Sequence, residues 1–353
     1  MKIVFILIGI ILLNLIILAH EWGHYISAKL SGVKVNEFAL GMGPKLLKFT
    51  KGETLYSLRA FPIGGFCAME GEDAESQDPR AFQKAKTWQK MIIVAMGAII
   101  NLILGFVLVF ILNTQNSYFN SNIISNFTEN SVSNHENGLQ IGDEILSIDG
   151  TKIFTYRDID FALTADKKNE FNIKVRRGNN ILNLENVKFD LITNENNITD
   201  VNIDFDVKKI DKNLGSLISQ SFLRTISNIQ TVWVGIIGII TGRFPFSNMG
   251  GTIGMVTQIG DIASESFKTS FVTGLLSLVN AMAAVTLSLG VLNLLPVPAL
   301  DGGRLVFLLF ELVTRKKINP KYEGLVHALG FVLLIILMIA TGYNDIARLF
   351  KKG

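Results

Sequence analysis

The chain has 353 residues, of which 18% are charged, whereas soluble domains carry roughly 25% charged residues. A net charge of +3 and the lack of any nucleic-acid-binding motif exclude a nucleic-acid-binding protein. The single cysteine, Cys67, excludes an intrachain disulfide and a cysteine-based zinc site, and we expect it to be a small buried filler.

Four long uncharged runs predict membrane-spanning helices. Each approaches or exceeds the about 20 residues that cross about 30 Å of hydrocarbon. The first run passes directly into His20–His24 without a small-x-small cleavage site, so we expect it to be a helix rather than a cleaved signal peptide. In chain order, the runs are Ile3–Ala19, Met91–Leu112, Gly274–Leu300 and Leu325–Tyr343.

A fifth run, Thr225–Gly242, is short and polar at its start. It either spans the membrane or lies in the interface or against the other helices, and its polar start favours the second alternative. The basic stretches Ser27–Lys90 and Arg304–Lys321 predict two cytoplasmic loops and therefore four spans with both ends outside. The basic tail that ends in Lys352 argues against this arrangement, and a fifth span would break its parity.

The segment between the second and third spans predicts a small, mostly β module outside the membrane. Glu144–Ile148 alternates and ends at the turn Asp149-Gly150, and Phe171–Val175 alternates in the same way. Tyr156–Ala165 predicts one short helix. The predicted division of the chain is therefore 1–113, 114–212, 213–273 and 274–353, with the module second and a membrane-associated region third.

The pattern His-Glu-x-x-His at residues 20–24 predicts a zinc site. Two histidines four apart on a helix lie on one face, one turn apart, so both imidazoles can reach one cation. Glu21 lies beside that face, where a general base for a zinc-activated water belongs. His and Glu inside an apolar run are costly, which favours a functional site over the alternative, a helix end at the interface where these side chains meet water.

A catalytic zinc needs a third protein ligand, and Asp301 is the candidate. It follows the third uncharged run directly, and an isolated carboxylate there should be paired or bound to metal. Pro296 and Pro298 open the helix before it. His135 lies in the β module and His327 stands alone in the fourth run, so neither fits as well. We therefore predict one Zn²⁺ ion per chain.

These motifs resemble the site-two protease class of intramembrane zinc metalloproteases, and within it the bacterial regulator-of-sigma-E group. The resemblance rests on His-Glu-x-x-His in the first span and Asn-x-x-Pro-x-Pro-x-Leu-Asp-Gly at residues 293–302. It implies zinc bound by His20, His24 and Asp301, with Glu21 catalytic. The chain departs from the class at Gly97–Asn101, which lacks a proline, and at Gly251-Thr252.

The resemblance also implies a substrate-binding region. A loop at Gly41–Gly43 and a hairpin at Leu55–Met69, with strands Thr54–Arg59 and Phe66–Glu70, would dip into the membrane and pair with an extended substrate. The implied substrate-binding residues are Gly41, Gly43, Gly64, Gly65, Asn101, Asn293 and Pro296.

Residues 137–150 resemble the core of a bacterial PDZ domain, with Gly138, Leu139 and Gly142 as candidate peptide-binding residues. The module would bind peptides, act as a size filter or serve only as a plug.

Taken together, the expected fold is a polytopic α-helical membrane protein of about four spans, with an inserted β-hairpin and an extracytoplasmic PDZ-like domain. The expected function is cleavage of single-span membrane proteins, such as anti-sigma factors or remnant signal peptides, in the bacterial inner membrane. An upstream protease would make the first cut. The alternative is a catalytically inert, membrane-anchored PDZ scaffold or chaperone.

Overall fold

The computed structural model describes residues 2–72, 75–165, 168–193, 199–245, 251–316, 318 and 320–351, so Lys352 of the basic tail lies outside the described residues. The chain divides into two compact units, Met1–Leu108 with Ile237–Gly353 and Val109–Ile236. The helices are α1 Lys2–Leu30, α2 Thr87–Asn113, α3 Tyr156–Thr164, α4 Leu214–Ile240, α5 Thr252–Thr269, α6 Phe271–Asn293, α7 Asp301–Thr314 and α8 Pro320–Lys351. The strands are β1 Val35–Lys51, β2 Thr54–Met69, β3 Tyr118–Phe127, β4 Glu144–Ile148, β5 Thr151–Lys152, β6 Glu170–Arg177, β7 Asn180–Lys188, β8 Leu191–Thr193, β9 Thr199–Val201 and β10 Phe205–Asp211.

Within the described residues, five helices are long and apolar enough to cross a membrane: α1, α2, α4, α6 and α8. The first, second and fourth predicted runs lie in α1, α2 and α8, and the first part of the third run lies in α6. The fifth run lies in α4, which is longer than predicted because it begins at Leu214. Length and composition alone make α4 a candidate span, so the number of spans stays a prediction.

The predicted third run does not form one helix. α6 ends at Asn293, and α7 begins at Asp301 after a connecting segment, Leu294–Leu300. Pro296 and Pro298 lack the amide hydrogens that a continuing helix would need. α7 also occupies most of the stretch that was predicted as a polar loop. α5 was not predicted at all, because its apolar residues are interrupted by polar ones.

The predicted hairpin within Leu55–Met69 was wrong in its pairing. β2 runs unbroken from Thr54 to Met69, and its partner is β1, which includes the predicted glycine loop. Residues 37–40 of β1 pair with both 55–58 and 65–68, while residues 45–51 pair with 54–59. The two strands thus build a folded sheet in which residues 65–69 form an edge. Cys67, on this edge, is 8% exposed and packs among apolar side chains, as predicted.

The second unit has a hydrophobic core of aliphatic and aromatic side chains. Its main sheet has the strand order β10-β3-β4-β6-β7, with β5 paired to β4. The predicted strands, the predicted helix α3 and the turn at Asp149-Gly150, where both φ angles are positive, are all present. This unit extends beyond the predicted 114–212 because α4 packs on it. The Ser227 hydroxyl donates to Asp158, and Gln230 Nε2 donates to the carbonyl of Lys152 at 2.7 Å.

Candidate metal centre

α1 places two imidazoles face to edge, one helical turn apart. The rings of His20 and His24 have centroids 4.8 Å apart at an interplanar angle of 84°, and their Nε2 atoms lie 3.2 Å apart. Both residues are buried, at 7% and 9% exposure. This is the arrangement that the four-residue spacing predicts.

Asp301 completes a group of three ligand atoms, which is the only such cluster of His, Cys, Asp and Glu among the described residues. Its Oδ2 atom lies 3.2 Å from His20 Nε2 and 3.3 Å from His24 Nε2. The same oxygen is buried and accepts no hydrogen bond from the described residues. The structure therefore brings the chain's two distant motifs together.

The triangle of ligand atoms fits zinc. In a regular tetrahedron each edge is about 1.6 times the centre-to-corner distance, so zinc–ligand distances of about 2.0–2.1 Å require atoms about 3.3–3.4 Å apart. The three observed edges are 3.2, 3.2 and 3.3 Å. Two imidazole nitrogens and one carboxylate oxygen are also a common donor set for catalytic zinc, with the fourth position open.

The far nitrogens of both imidazoles are held by neighbours. His24 Nδ1 lies 2.9 Å from the carbonyl oxygen of Ile93, so Nδ1 carries the proton and Nε2 presents its lone pair. The side-chain amide of fully buried Asn101 lies 3.4 Å from His20 Nδ1. The structure thus places Asn101 against His20, a candidate ligand, whereas the resemblance implied contact with substrate. Thr286 on α6 donates to the Asn101 carbonyl at 3.3 Å.

The absence of side chains at two glycines lets α1 and α2 meet at the site. A Cβ on Gly23 would lie 2.5 Å from the carbonyl oxygen of Met96. A Cβ on Gly97 would lie 2.4 Å from His24 Nε2 and 2.8 Å from His20 Cε1. Gly97 was missed as a site residue. Its signal in the sequence is its place at the start of Gly97–Asn101, the segment where the chain differs from the class by lacking a proline.

The residues around Asp301 pack closely, beginning with Gly302. A Cβ on Gly302 would lie 2.1 Å from the carbonyl oxygen of Leu295, so α7 packs directly on the connecting segment. Asn293 is the half-buried last residue of α6. Pro296 lines an apolar cavity of about 450 Å³ that also includes Gly302, beside Asp301.

Glu21 lies between the metal ligands and the edge of the sheet. A Cβ on Gly65 would lie 3.6 Å from Glu21 Cγ, so β2 passes directly beside the predicted base. The other predicted glycines shape the sheet itself. Gly41, Gly43 and Gly64 all have positive φ angles, and Gly41 and Gly43 pack closely against Phe61.

The candidate peptide-binding residues of the β module have internal roles. Leu139 is fully buried in the core. The amides of Gly138, Leu139 and Gly142 donate to the carbonyls of His135, Ser133 and Ile124 at 2.8, 2.9 and 2.9 Å. Because these amides are already bonded, the packing does not support peptide binding by them, and that role stays a prediction.

Comparison with known sequences agrees with this geometry. The sequence model of Peptidase family M50 matches residues 8–337. The chain belongs to Peptidase family M50. A Clostridium perfringens protein named as a zinc metalloprotease is 35% identical over 97% of this chain and 98% of its own length. A Clostridium acetobutylicum protein of the same description is 34% identical over 97% of each chain.

A third relative is the Bacillus subtilis regulator of sigma-W protease RasP. It is 27% identical over 97% of this chain and 98% of its own length. The predicted resemblance to site-two proteases is therefore confirmed, and this M50 member is a metalloendopeptidase. The names of the clostridial relatives agree with the prediction of zinc.

Proposed function

We propose that this M50 peptidase binds one zinc ion through His20, His24 and Asp301 and cleaves single-span membrane proteins. The observation that carries the proposal is the triangle of Nε2, Nε2 and Oδ2 atoms, whose edges of 3.2–3.3 Å suit a tetrahedral ion. A scaffold without catalytic activity has no need to keep these atoms at that spacing.

The chemistry follows from the placement of Glu21. Zinc bound by His20, His24 and Asp301 would act as a Lewis acid that polarises a peptide carbonyl and lowers the pKa of water towards neutrality. The Glu21 carboxylate takes a proton from the attacking water and delivers it to the nitrogen of the leaving amine. Asn101 and the Ile93 carbonyl hold the two imidazoles in orientation during these steps.

The edge of the sheet is the proposed binding place for the substrate. Among the described residues, the 65–69 segment of β2 pairs only with β1, on one side. Glu21 lies beside this segment, since a Cβ on Gly65 would lie 3.6 Å from Glu21 Cγ. A substrate strand that pairs there would exchange its helical hydrogen bonds for sheet bonds, which makes a peptide bond accessible. Pro296 and the neighbouring apolar cavity would contact substrate side chains.

The proposed orientation places the metal near the cytoplasmic face of a bacterial inner membrane. His20 and His24 lie towards the end of α1, directly before the basic stretch Ser27–Lys90. The β module would then be a PDZ-like domain outside the cytoplasm that limits which substrates enter. The name of the Bacillus subtilis relative suggests regulators of sigma factors as substrates, after a first cut by another protease.

The decisive experiment uses purified full-length protein loaded with zinc and a single-span reporter substrate. Glu21→Gln keeps the size of the side chain and removes the base, so we expect cleavage to fall by a factor of at least about 100 while zinc content stays at one ion per chain. The matched control is Glu185→Gln on the exposed surface of β7, which should cleave normally.

Two outcomes would contradict the proposal. Unchanged cleavage by Glu21→Gln would remove Glu21 from the mechanism. A wild-type protein that binds the reporter, holds no zinc and cleaves nothing would favour a membrane-anchored scaffold instead.

A further inference from the structure

The half-buried histidine of α8, His327, has no part in the proposed mechanism. His327 Nδ1 accepts a hydrogen bond from the backbone amide of Ala299 at 3.0 Å, and its ring lies 5.5 Å from the ring of Phe307 on α7. We propose that His327 is a positioning residue, which holds the connecting segment Leu294–Leu300 and thereby fixes Asp301 in the zinc site. The inference rests on the proposed function.

The connecting segment needs an external support. Ala299 has φ = +73°, a left-handed conformation that residues with a Cβ adopt only when their surroundings hold them there. Pro296 and Pro298 have no amide hydrogens, and the Ala299 amide is the donor of this segment that bonds to the side chain of another helix. The bond to His327 acts on Ala299 itself, the residue in the strained conformation.

Ala299 is coupled to Asp301 through a compact turn. The amide of Leu300 donates to the Val297 carbonyl at 3.2 Å, and the amide of Gly303 donates to the Leu300 carbonyl at 3.0 Å. A Cβ on Gly303 would lie 2.4 Å from the Val297 oxygen, so α7 and the segment leave each other no room to move. A displacement of Ala299 therefore moves Asp301, two residues later.

α8 touches the same segment a second time. A Cβ on Gly330 would lie 2.4 Å from Pro298 Cβ and 2.6 Å from the Pro298 backbone carbon. Gly330 follows His327 by three residues, so both contacts are on one face of α8. The hydrogen bond and the close backbone approach thus act together on residues 298–299.

The chemistry of the histidine suits this role. Accepting at Nδ1 requires the neutral imidazole with its proton on Nε2. A polar group inside an apolar helix is costly, and such residues are commonly functional. Without the acceptor, the Ala299 amide loses its partner and the segment can relax. Since metal–ligand distances tolerate changes of only about 0.2 Å, a small shift of Asp301 should weaken zinc binding.

The test measures zinc affinity of the full-length protein in detergent, by competition with a chelator. We expect His327→Leu to bind zinc at least about tenfold more weakly, as residues that orient ligands commonly do. His327→Asn places an amide oxygen near the position of Nδ1 and should stay within about threefold of wild type. Gly330→Ala should also weaken binding, since it displaces Pro298. His135→Leu, on the exposed surface of the other unit, is the matched control.

The outcomes separate this inference from the proposed function. Wild-type zinc affinity in His327→Leu, or an equal loss in His327→Leu and His327→Asn, would overturn the positioning role. If His327→Leu does not fold, wild-type affinity in Gly330→Ala would overturn the claim that α8 fixes the segment. Full zinc content in His20→Ala would instead overturn the proposed metal site itself.

Discussion

Replacing Gly97 with alanine tests whether the metal site depends on the close approach of α2 to the two imidazoles. The added Cβ would lie 2.4 Å from His24 Nε2, so the contact has to open by about 1 Å to reach an ordinary distance of 3.4 Å. That displacement is about five times the variation that metal–ligand distances tolerate. We therefore expect zinc binding to weaken at least about 100-fold, or about 2.7 kcal/mol.

Gly105→Ala on the same helix is the matched control. Its Cβ would press on the side chain of Leu287 rather than on a metal ligand, so it should lower thermal stability without changing zinc affinity. Zinc affinity and cleavage of a single-span reporter are measured on both variants in detergent. Wild-type zinc affinity in Gly97→Ala, or an equal loss of affinity in Gly105→Ala, would refute the geometric reasoning.

Three further variants test other parts of the structure. Asp301→Ala should lower the zinc content measured by metal analysis from one ion per chain to near zero, and full retention would remove Asp301 from the ligand set. Asp345→Ala should lower the thermal midpoint in detergent, since the carboxylate accepts hydrogen bonds from the amides of Gly251 and Gly254 at 3.2 and 2.7 Å, and each unsatisfied amide costs about 1–3 kcal/mol. An unchanged midpoint would contradict that role. Burial raises the pKa of Glu37, but hydrogen bonds from Ser57, Arg59 and Lys45 outweigh it and lower the pKa to about 2. The stabilisation by Glu37 should therefore be complete above its unfolded pKa of 4.5 and disappear as the pH falls towards about 2, with a maximum of about 3 kcal/mol. Unfolding of Glu37→Gln should lack this part of the acid dependence, and identical profiles for the two proteins would contradict it.

The features that sequence predicts well are local. His20 and His24 share a helical face because of their spacing alone, and the uncharged runs specify α1, α2, α6 and α8 by length. Asp301 was found because a carboxylate after an uncharged run needs a partner, which is a local argument about cost. The strands around Asp149-Gly150 follow from turn chemistry and alternation.

The features that sequence does not predict depend on pairing between distant residues. β2 was read as a hairpin because its central glycines and proline look like a turn. Its actual partner, β1, lies before it in the chain, and no local pattern in residues 35–51 marks it as a strand. The contact between Asn101 and His20 joins residues 81 apart, so the sequence could not distinguish a ligand-positioning role from contact with substrate.

The same long-range contacts explain why the metal centre requires both ends of the chain. Two of the proposed ligands lie on α1, the third lies on α7, and α2 meets the imidazoles through Gly97. Neither residues 1–113 nor residues 274–353 contain all three ligand atoms, so the site forms only when the two membrane halves pack together. α1 carries Glu21 and two of the candidate ligands and also contacts β2, so the sheet edge at Gly65 lies next to Glu21. α1 is therefore shared by the geometry that would bind zinc and the geometry that would present a substrate strand, so a change that tilts α1 should impair both.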